Sequence, residues 1–112
     1  MDTLIQQIRA FNRERDWERF HSPKNLATGL AVEAAELLEI FTWLDDDQSR
    51  ELSAARLAQL RDEIGDVQIY LLNLADKFGL DPLDCAAEKL ETNRSKYPAA
   101  QVRGSAKKYT EY

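Results

Sequence analysis

The sequence is poor in the residues that mark several classes of protein. Its 112 residues include four glycines, three prolines and one cysteine, so an internal disulfide is excluded. Runs of β-branched residues are also scarce, which argues against a sheet. No apolar stretch approaches the roughly 20 residues that cross a membrane, and the N-terminus lacks a signal-peptide pattern. We therefore expect a cytoplasmic protein with no membrane partner.

The net charge is also unfavourable for one class of partner. A formal charge of −5 argues against nucleic-acid binding, which usually requires a basic face. Acidic residues are dense between Glu33 and Asp66, whereas basic residues crowd the C-terminal end. An acidic centre beside a basic end is compatible with a metal ion and a phosphate. It is equally compatible with ordinary solvated surface, which charge alone favours.

Hydrophobic residues recur with a helical period through most of the chain, which predicts one all-α domain over residues 1–112. Caps at Ser22, Ser53 and Asp81 mark helix starts, and Gly79 marks a helix end. The predicted helices cover about 3–15, 23–43, 53–78 and 82–97. Residues 45–48 are predicted as an acidic loop, and residues 98–112 as an extended C-terminal tail.

The third predicted helix is apolar on two sides. Its main seam consists of Leu57, Leu60, Ile64, Val67, Leu71, Leu74 and Phe78. A second strip consists of Gly65, Ile69 and Leu72. A helix that is apolar on two sides must be covered on two sides. We therefore expect a four-helix bundle-like fold that is completed by dimerisation, as a homodimer or a homotetramer.

The second predicted helix carries a carboxylate in its apolar seam, at Glu33. Such a group is costly unless it is paired, hydrogen-bonded or bound to a cation. Glu36 lies one turn further on, and Glu63 and Asp66 flank the seam of the third helix. If these two helices pack antiparallel, two carboxylate pairs face each other, and their repulsion calls for a divalent metal.

The side chains in these pairs also indicate which ion would bind. No histidine lies at metal-ligand spacing from them, and all-oxygen ligation selects a hard cation, Mg²⁺ first and Mn²⁺ as a possible substitute. Acidic pairs with this spacing occur elsewhere in the chain, and any one pair alone is better explained as a solvated helix face. The seam position of Glu33 and the apolar character of both helices distinguish these two pairs.

The pattern Glu33-x-x-Glu36, 26 residues, Glu63-x-x-Asp66 resembles the signature of the MazG-like all-α nucleotide pyrophosphohydrolase superfamily. Further segments resemble its dCTP pyrophosphatase branch and extend the resemblance over nearly the whole chain. These segments are residues 15–26, Phe41-x-Trp43, residues 66–71, Asn93-Arg94-x-x-Tyr97-Pro98 and residues 108–111.

This resemblance implies a magnesium-dependent hydrolase that cleaves a nucleoside triphosphate, dCTP or 5-modified dCTP, to monophosphate and pyrophosphate in nucleotide-pool house-cleaning. It implies that the catalytic and metal-binding residues are Glu33, Glu36, Glu63 and Asp66. The substrate-binding residues that it implies are Trp17, His21, Trp43, Tyr70, Lys89, Asn93 and Arg94. Some superfamily members have a further glutamate at position 34, which is alanine here, so the identity of the general base stays open.

Two other functions are compatible with the sequence. The same chemistry could act on dUTP or on other non-canonical nucleotides. In a different class, the chain would be a non-catalytic helical oligomerisation or binding module whose acidic pairs are structural. Without the resemblance, the tryptophans would be packing residues, His21 a cap or core residue, and Lys89 a solvated one.

Overall fold

The computed structural model describes residues 3–104, and every regular element in this range is helical. The elements are α1 (Leu4–Glu14), a 3₁₀ turn (Glu18–Phe20), α2 (Pro23–Glu39), α3 (Asp46–Arg50), α4 (Ala54–Asp76), α5 (Pro82–Lys96) and α6 (Ala99–Val102). The predicted all-α class is confirmed. None of the helices within residues 3–104 combines the length and the apolar character that a membrane span requires.

The predicted helix starts agree with the structure because each is fixed by a local cap. The Ser22 hydroxyl accepts a hydrogen bond from the backbone N–H of Asn25 at 3.1 Å, and proline follows at the first helical position. Ser53 caps α4 by accepting from the backbone N–H of Arg56, and Asp81 caps α5 by accepting from that of Leu83. Gly79, beyond the end of α4, has a φ of +66°, a left-handed conformation that glycine adopts without strain.

The segment that follows α2 differs from the sequence-based prediction. The α2 helix ends at Glu39 instead of near Trp43, and residues 46–50 form α3 where we expected an acidic loop. A capping box explains why α3 forms. Asp45 accepts from the backbone N–H of Gln48 at 2.7 Å, and the Gln48 side chain accepts from the backbone N–H of Asp45 at 3.0 Å. The second prediction error comes from treating this helix start as a charged loop.

The chain divides between Gly79 and Leu80 into two compact units. In the first unit, α4 packs against both α2 and α1. The second unit contains α5 and α6, and α6 begins after Pro98 within the segment that we predicted to be extended, so that prediction is wrong for four residues. Residues 105–112 of the predicted tail lie outside the described range. The assignment of residues 1–112 to one domain stays a prediction.

The buried apolar side chains of the described residues are few. Ile8 on α1 and Leu26 on α2 are buried, with Leu26 only 1% exposed. On α4, by contrast, Leu57 and Ile64 of the predicted seam are about half exposed, at 49% and 48%. A second copy of the chain would cover such residues, and this homo-oligomer stays a prediction.

Candidate functional site

Packing of α2 against α4 brings three of the four predicted acidic residues together. One carboxylate oxygen from each of Glu33, Glu36 and Glu63 lies within 4.8 Å of the other two. Glu33 and Glu63 are partly buried, and Glu36 is exposed. Glu33 and Glu36 are close because they lie one turn apart on α2. Glu63 joins them because α4 packs against α2.

Two oxygens of this cluster have no hydrogen-bond partner within residues 3–104. They are Glu33 Oε2 and Glu63 Oε2, and neither is exposed to solvent. A buried carboxylate oxygen without a donor is costly, because the charge loses water and gains nothing in return. This cost would be offset by a proton or by a cation.

The electrostatics of Glu33 reflect this shortage of donors. The pKa of Glu33 is raised to about 7, first by hydrogen bonding of its protonated form to Glu36, then by burial and by a similar bond to Glu63. The negative charges of Glu36 and Asp66 contribute to the same shift. Asp66 thus acts on Glu33 through its charge, although its oxygens are not among the three that lie within 4.8 Å.

The donor set of this cluster fits a hard divalent cation. It offers only carboxylate oxygens, and the orphaned oxygens of Glu33 and Glu63 both belong to it. Oxygen-only ligation favours Mg²⁺, Mn²⁺ or Ca²⁺ over softer metals. We call Glu33, Glu36, Glu63 and Asp66 the acidic cluster below.

The acidic cluster adjoins a cavity of about 510 Å³ in the first unit. Glu33 and Asp66 line this cavity together with three other predicted site residues, Trp17, His21 and Tyr70. Ligand pockets of about 300–1,000 Å³ accommodate small molecules, so the volume is sufficient for a nucleoside. The structure therefore places aromatic and acidic predicted residues around one space.

The aromatic wall of the cavity is formed at the end of α1. The rings of Phe11 and Trp17 meet edge to face, with centroids 5.5 Å apart and planes at 74°. The Arg15 guanidinium lies 3.7 Å from the centroid of Phe11, which supports that ring by a cation–π contact. Trp17 remains 45% exposed, so its indole keeps surface available to a ligand.

His21 follows the 3₁₀ turn, and its backbone N–H donates to the Glu18 carbonyl at 3.0 Å. Burial lowers the pKa of His21 from its usual value, and the positive charge of Lys77 lowers it further against an opposing effect of Glu18. The imidazole is therefore neutral at pH 7, with one ring nitrogen that donates and one that accepts.

Tyr70 is positioned by a glycine on the facing helix. A Cβ atom at Gly29 of α2 would overlap the Tyr70 ring, with Cζ only 2.7 Å away. No such contact is tolerated between real atoms, so Gly29 allows α2 and the Tyr70 ring to approach closely. This packing places Tyr70 in the wall of the cavity, near Glu33 and Asp66.

The other predicted substrate-binding residues are not among those that line this cavity. Trp43 lies in the turn after α2 and is 90% exposed. Lys89, Asn93 and Arg94 lie on α5 in the second unit, where Arg94 Nη1 is 2.7 Å from Glu91 Oε1. Their roles in substrate binding stay predictions.

Two buried polar residues of the cavity were missed in the sequence. Asn12 and Asn73 are both buried, and Asn12 Nδ2 donates to Asn73 Oδ1 at 2.8 Å. A signal was present, because Asn73 interrupts an otherwise apolar stretch from Leu71 to Ala75. A polar residue at such a position needs a partner, but its spacing does not identify one 61 residues away.

Comparison with known proteins defines the class to which this fold and site belong. The MazG-like family model matches residues 30–112, and the chain belongs to the MazG-like family. Within that class, the chain is 42% identical over 110 residues to dCTP pyrophosphatase 1 of Homo sapiens and of Bos taurus. The matches cover 96% of this chain and 65% of each relative, so the chain spans about two thirds of their length.

A solved structure supports the same fold. A pyrophosphatase from Archaeoglobus fulgidus DSM 4304 matches with a TM-score of 0.80 and 42% sequence identity. The match covers 85% of this chain and 89% of that one. The predicted resemblance to MazG-like proteins is therefore confirmed in both sequence and fold.

Proposed function

We propose that this protein is a magnesium-dependent nucleoside triphosphate pyrophosphohydrolase. It would convert dCTP, including 5-modified dCTP, to dCMP and pyrophosphate in nucleotide-pool house-cleaning. One observation carries this proposal: carboxylates with orphaned buried oxygens adjoin an aromatic cavity large enough for a nucleoside. The 42% identity to proteins named dCTP pyrophosphatase 1 supports the choice of dCTP.

In this proposal the acidic cluster holds Mg²⁺, with Mn²⁺ as a substitute. Glu33 and Glu63 contribute oxygens that have no other partner in the described chain, and Glu36 and Asp66 complete the charge. Bound magnesium would offset the negative charge of a triphosphate and polarise its phosphoryl oxygens. An acidic protein needs this compensation, because four carboxylates would otherwise repel the substrate.

The cavity residues bind and orient the nucleoside. The indole of Trp17 offers an aromatic face on which a base can stack. Neutral His21 can donate or accept a hydrogen bond without adding charge. Tyr70 lines the cavity with Glu33 and Asp66, which suits a phenol that hydrogen-bonds to a phosphate. We also propose that Trp43 contacts the base and that Lys89, Asn93 and Arg94 bind the phosphates.

The reaction is an attack of water on the α-phosphorus. An oxygen–phosphorus bond forms from water, the bond from the α-phosphorus to the bridging oxygen breaks, and pyrophosphate leaves. A carboxylate of the acidic cluster takes the proton of the water. We further propose that the protein is a cytoplasmic homodimer or homotetramer that does not bind nucleic acid.

A product assay in isotopically labelled water tests this function. The protein is incubated with Mg²⁺ and single dNTPs in H₂¹⁸O. The products are then separated, and their masses are measured by mass spectrometry. We expect dCMP that carries the label and unlabelled pyrophosphate, with no turnover in EDTA. Release of orthophosphate and dCDP would contradict the proposal. A competition panel of dCTP, 5-methyl-dCTP and dUTP would then identify the preferred base.

A further inference from the structure

The pair Asn12–Asn73 is a buried polar feature of the cavity that the proposed function does not use. Asn12 on α1 is 7% exposed, and Asn73 on α4 is 9% exposed. One hydrogen bond of 2.8 Å, from Asn12 Nδ2 to Asn73 Oδ1, joins them, and both residues line the cavity.

In the structure, Asn12 donates through its NH₂ group and Asn73 accepts through its oxygen. A side-chain amide has one carbonyl oxygen and one NH₂ group. Because Asn12 uses its NH₂ group and Asn73 its oxygen, the Asn12 oxygen and the Asn73 NH₂ group take no part in this bond. The pair therefore combines an acceptor and a donor.

A purely structural role would not require this chemistry. Two apolar side chains of the same shape would join α1 to α4 at similar stability without the desolvation of two amides. The two helices are also joined by Arg9, whose Nε donates to Asp76 Oδ2 at 2.8 Å. Around the amides the cavity wall includes Ile8, Phe11 and Ile69. A few polar groups in a largely apolar wall usually orient a ligand.

We propose that Asn12 and Asn73 recognise the hydrogen-bonding edge of a cytosine base in this cavity. Asn12 Oδ1 accepts from the exocyclic amine, and Asn73 Nδ2 donates to the adjacent ring nitrogen. Uracil in the same position presents a carbonyl to the Asn12 oxygen and an N–H group to the Asn73 NH₂ group. Both contacts with uracil are then mismatched. This inference rests on the proposed function, because that function places a nucleoside in the cavity.

The most direct test replaces the Asn73 donor and keeps its bond to Asn12. Asn73→Asp retains an oxygen that accepts from Asn12 Nδ2 and changes the NH₂ group into a second acceptor. An acceptor there opposes the cytosine ring nitrogen and suits the uracil N–H group. We expect the ratio of kcat/KM for dUTP to that for dCTP to rise at least about tenfold, since a lost or mismatched buried hydrogen bond changes discrimination by this much or more.

Asp76→Asn is the matched control. It replaces an acid by an amide, which is the reverse of Asn73→Asp, and it lies one turn further along α4 at the link between Arg9 and Asp76. It should leave the base ratio unchanged. Asn12→Asp is a second variant, in which Asn73 must turn its NH₂ group toward residue 12 and the cavity again loses its donor. It should also raise the ratio toward dUTP. Far-UV circular dichroism identifies the variants that fold. The base ratio of either variant that folds is sufficient to test the inference.

Nucleoside binding separates this inference from the proposed function. Calorimetry with deoxycytidine and deoxyuridine needs neither metal nor turnover. We expect the wild type to bind deoxycytidine more tightly and Asn73→Asp to reverse this order. A base ratio and a binding order that do not change in a folded variant would overturn the inference. A wild type that prefers deoxycytidine but hydrolyses no dNTP would instead overturn the proposed function.

Discussion

Asp76 and Glu33 are carboxylates in the same unit with opposite surroundings. Asp76 accepts two hydrogen bonds from the Arg9 guanidinium, one of them 2.8 Å from Nε, and this bonding lowers the pKa of Asp76 below its usual value. Glu33 faces other carboxylates, and its pKa is raised to about 7. Asp76 is neutralised by a basic side chain, whereas Glu33 has no hydrogen-bond donor for its buried oxygen among residues 3–104.

The difference indicates which acidic residue is structural and which awaits a ligand. The Asp76 pair joins α1 to α4 and needs nothing from outside the protein. The buried oxygens of Glu33 and Glu63 have no hydrogen-bond partner within residues 3–104. Electrostatic strain of this kind is typical of functional sites.

Removing a charge from the acidic cluster should have the largest effect on activity. Glu63→Gln removes a proposed metal ligand, and we expect kcat/KM for dCTP to fall by at least about 100-fold, as for other losses at metal sites. Asp76→Asn removes an equal charge outside the acidic cluster and should leave kcat/KM nearly unchanged. Steady-state kinetics over a range of Mg²⁺ concentrations measures both. Equal losses in the two variants would contradict the distinction between these locations.

Magnesium should stabilise the folded protein through the acidic cluster. A ligand at 100 times its dissociation constant adds about 2.7 kcal/mol to the free energy of unfolding. We expect urea denaturation to show a gain of this size for the wild type and for Asp76→Asn. Glu63→Gln should gain much less. The same gain in all three proteins would place the bound Mg²⁺ elsewhere.

In the metal-free protein, stability should fall as the pH rises from about 4.5 to about 7. The fold raises the pKa of Glu33 from 4.5 to about 7 and so favours the protonated form. This contribution is complete below pH 4.5 and is lost as the pH rises through 7, with a slope of at most about 1.4 kcal/mol per pH unit for one proton. Urea midpoints in EDTA measure the effect. Glu33→Gln should flatten the profile, whereas parallel profiles would refute this role of Glu33.

The sequence was informative wherever the determinant was local. Ser22, Ser53 and Asp81 could be predicted as caps because the groups that they bond lie within three residues. The helical period predicted the all-α class, and the same period marked Glu33 as a carboxylate in an apolar seam. Asp45 carried a similar local signal, but the acidic run around it concealed the capping box.

Non-local contacts were the part that the sequence did not predict. Asn12 meets Asn73 across 61 residues, and Arg9 meets Asp76 across 67. Spacing along one helix reveals its faces but not which residue of another helix each side chain contacts. The acidic cluster was an exception, because the expected antiparallel packing of the two helices and the resemblance both paired Glu33 and Glu36 with Glu63.

The smallest expected effect concerns the neutralised carboxylate. Because its folded pKa is lowered, Asp76 stabilises the protein above its unfolded pKa of 3.8, and this contribution is lost as the pH falls through the folded pKa. It should be modest, because the Arg9 side chain is 51% exposed and that of Asp76 is 26% exposed. A double-mutant cycle of Arg9→Gln and Asp76→Asn at pH 7 should give a small favourable coupling.

Salt and acid then show whether this coupling is electrostatic. The coupling free energy should shrink in 1 M NaCl, where the Debye length falls to about 3 Å. It should also shrink when Asp76 is protonated. Arg50→Gln breaks an exposed pair with Asp47 inside α3, and it should cost less because that pair joins no separate helices. A coupling that survived both salt and acid would mean that Arg9 joins the helices by packing its aliphatic chain. The contrast between Asp76 and Glu33 would then rest on Glu33 alone, whose buried oxygen has no donor among residues 3–104.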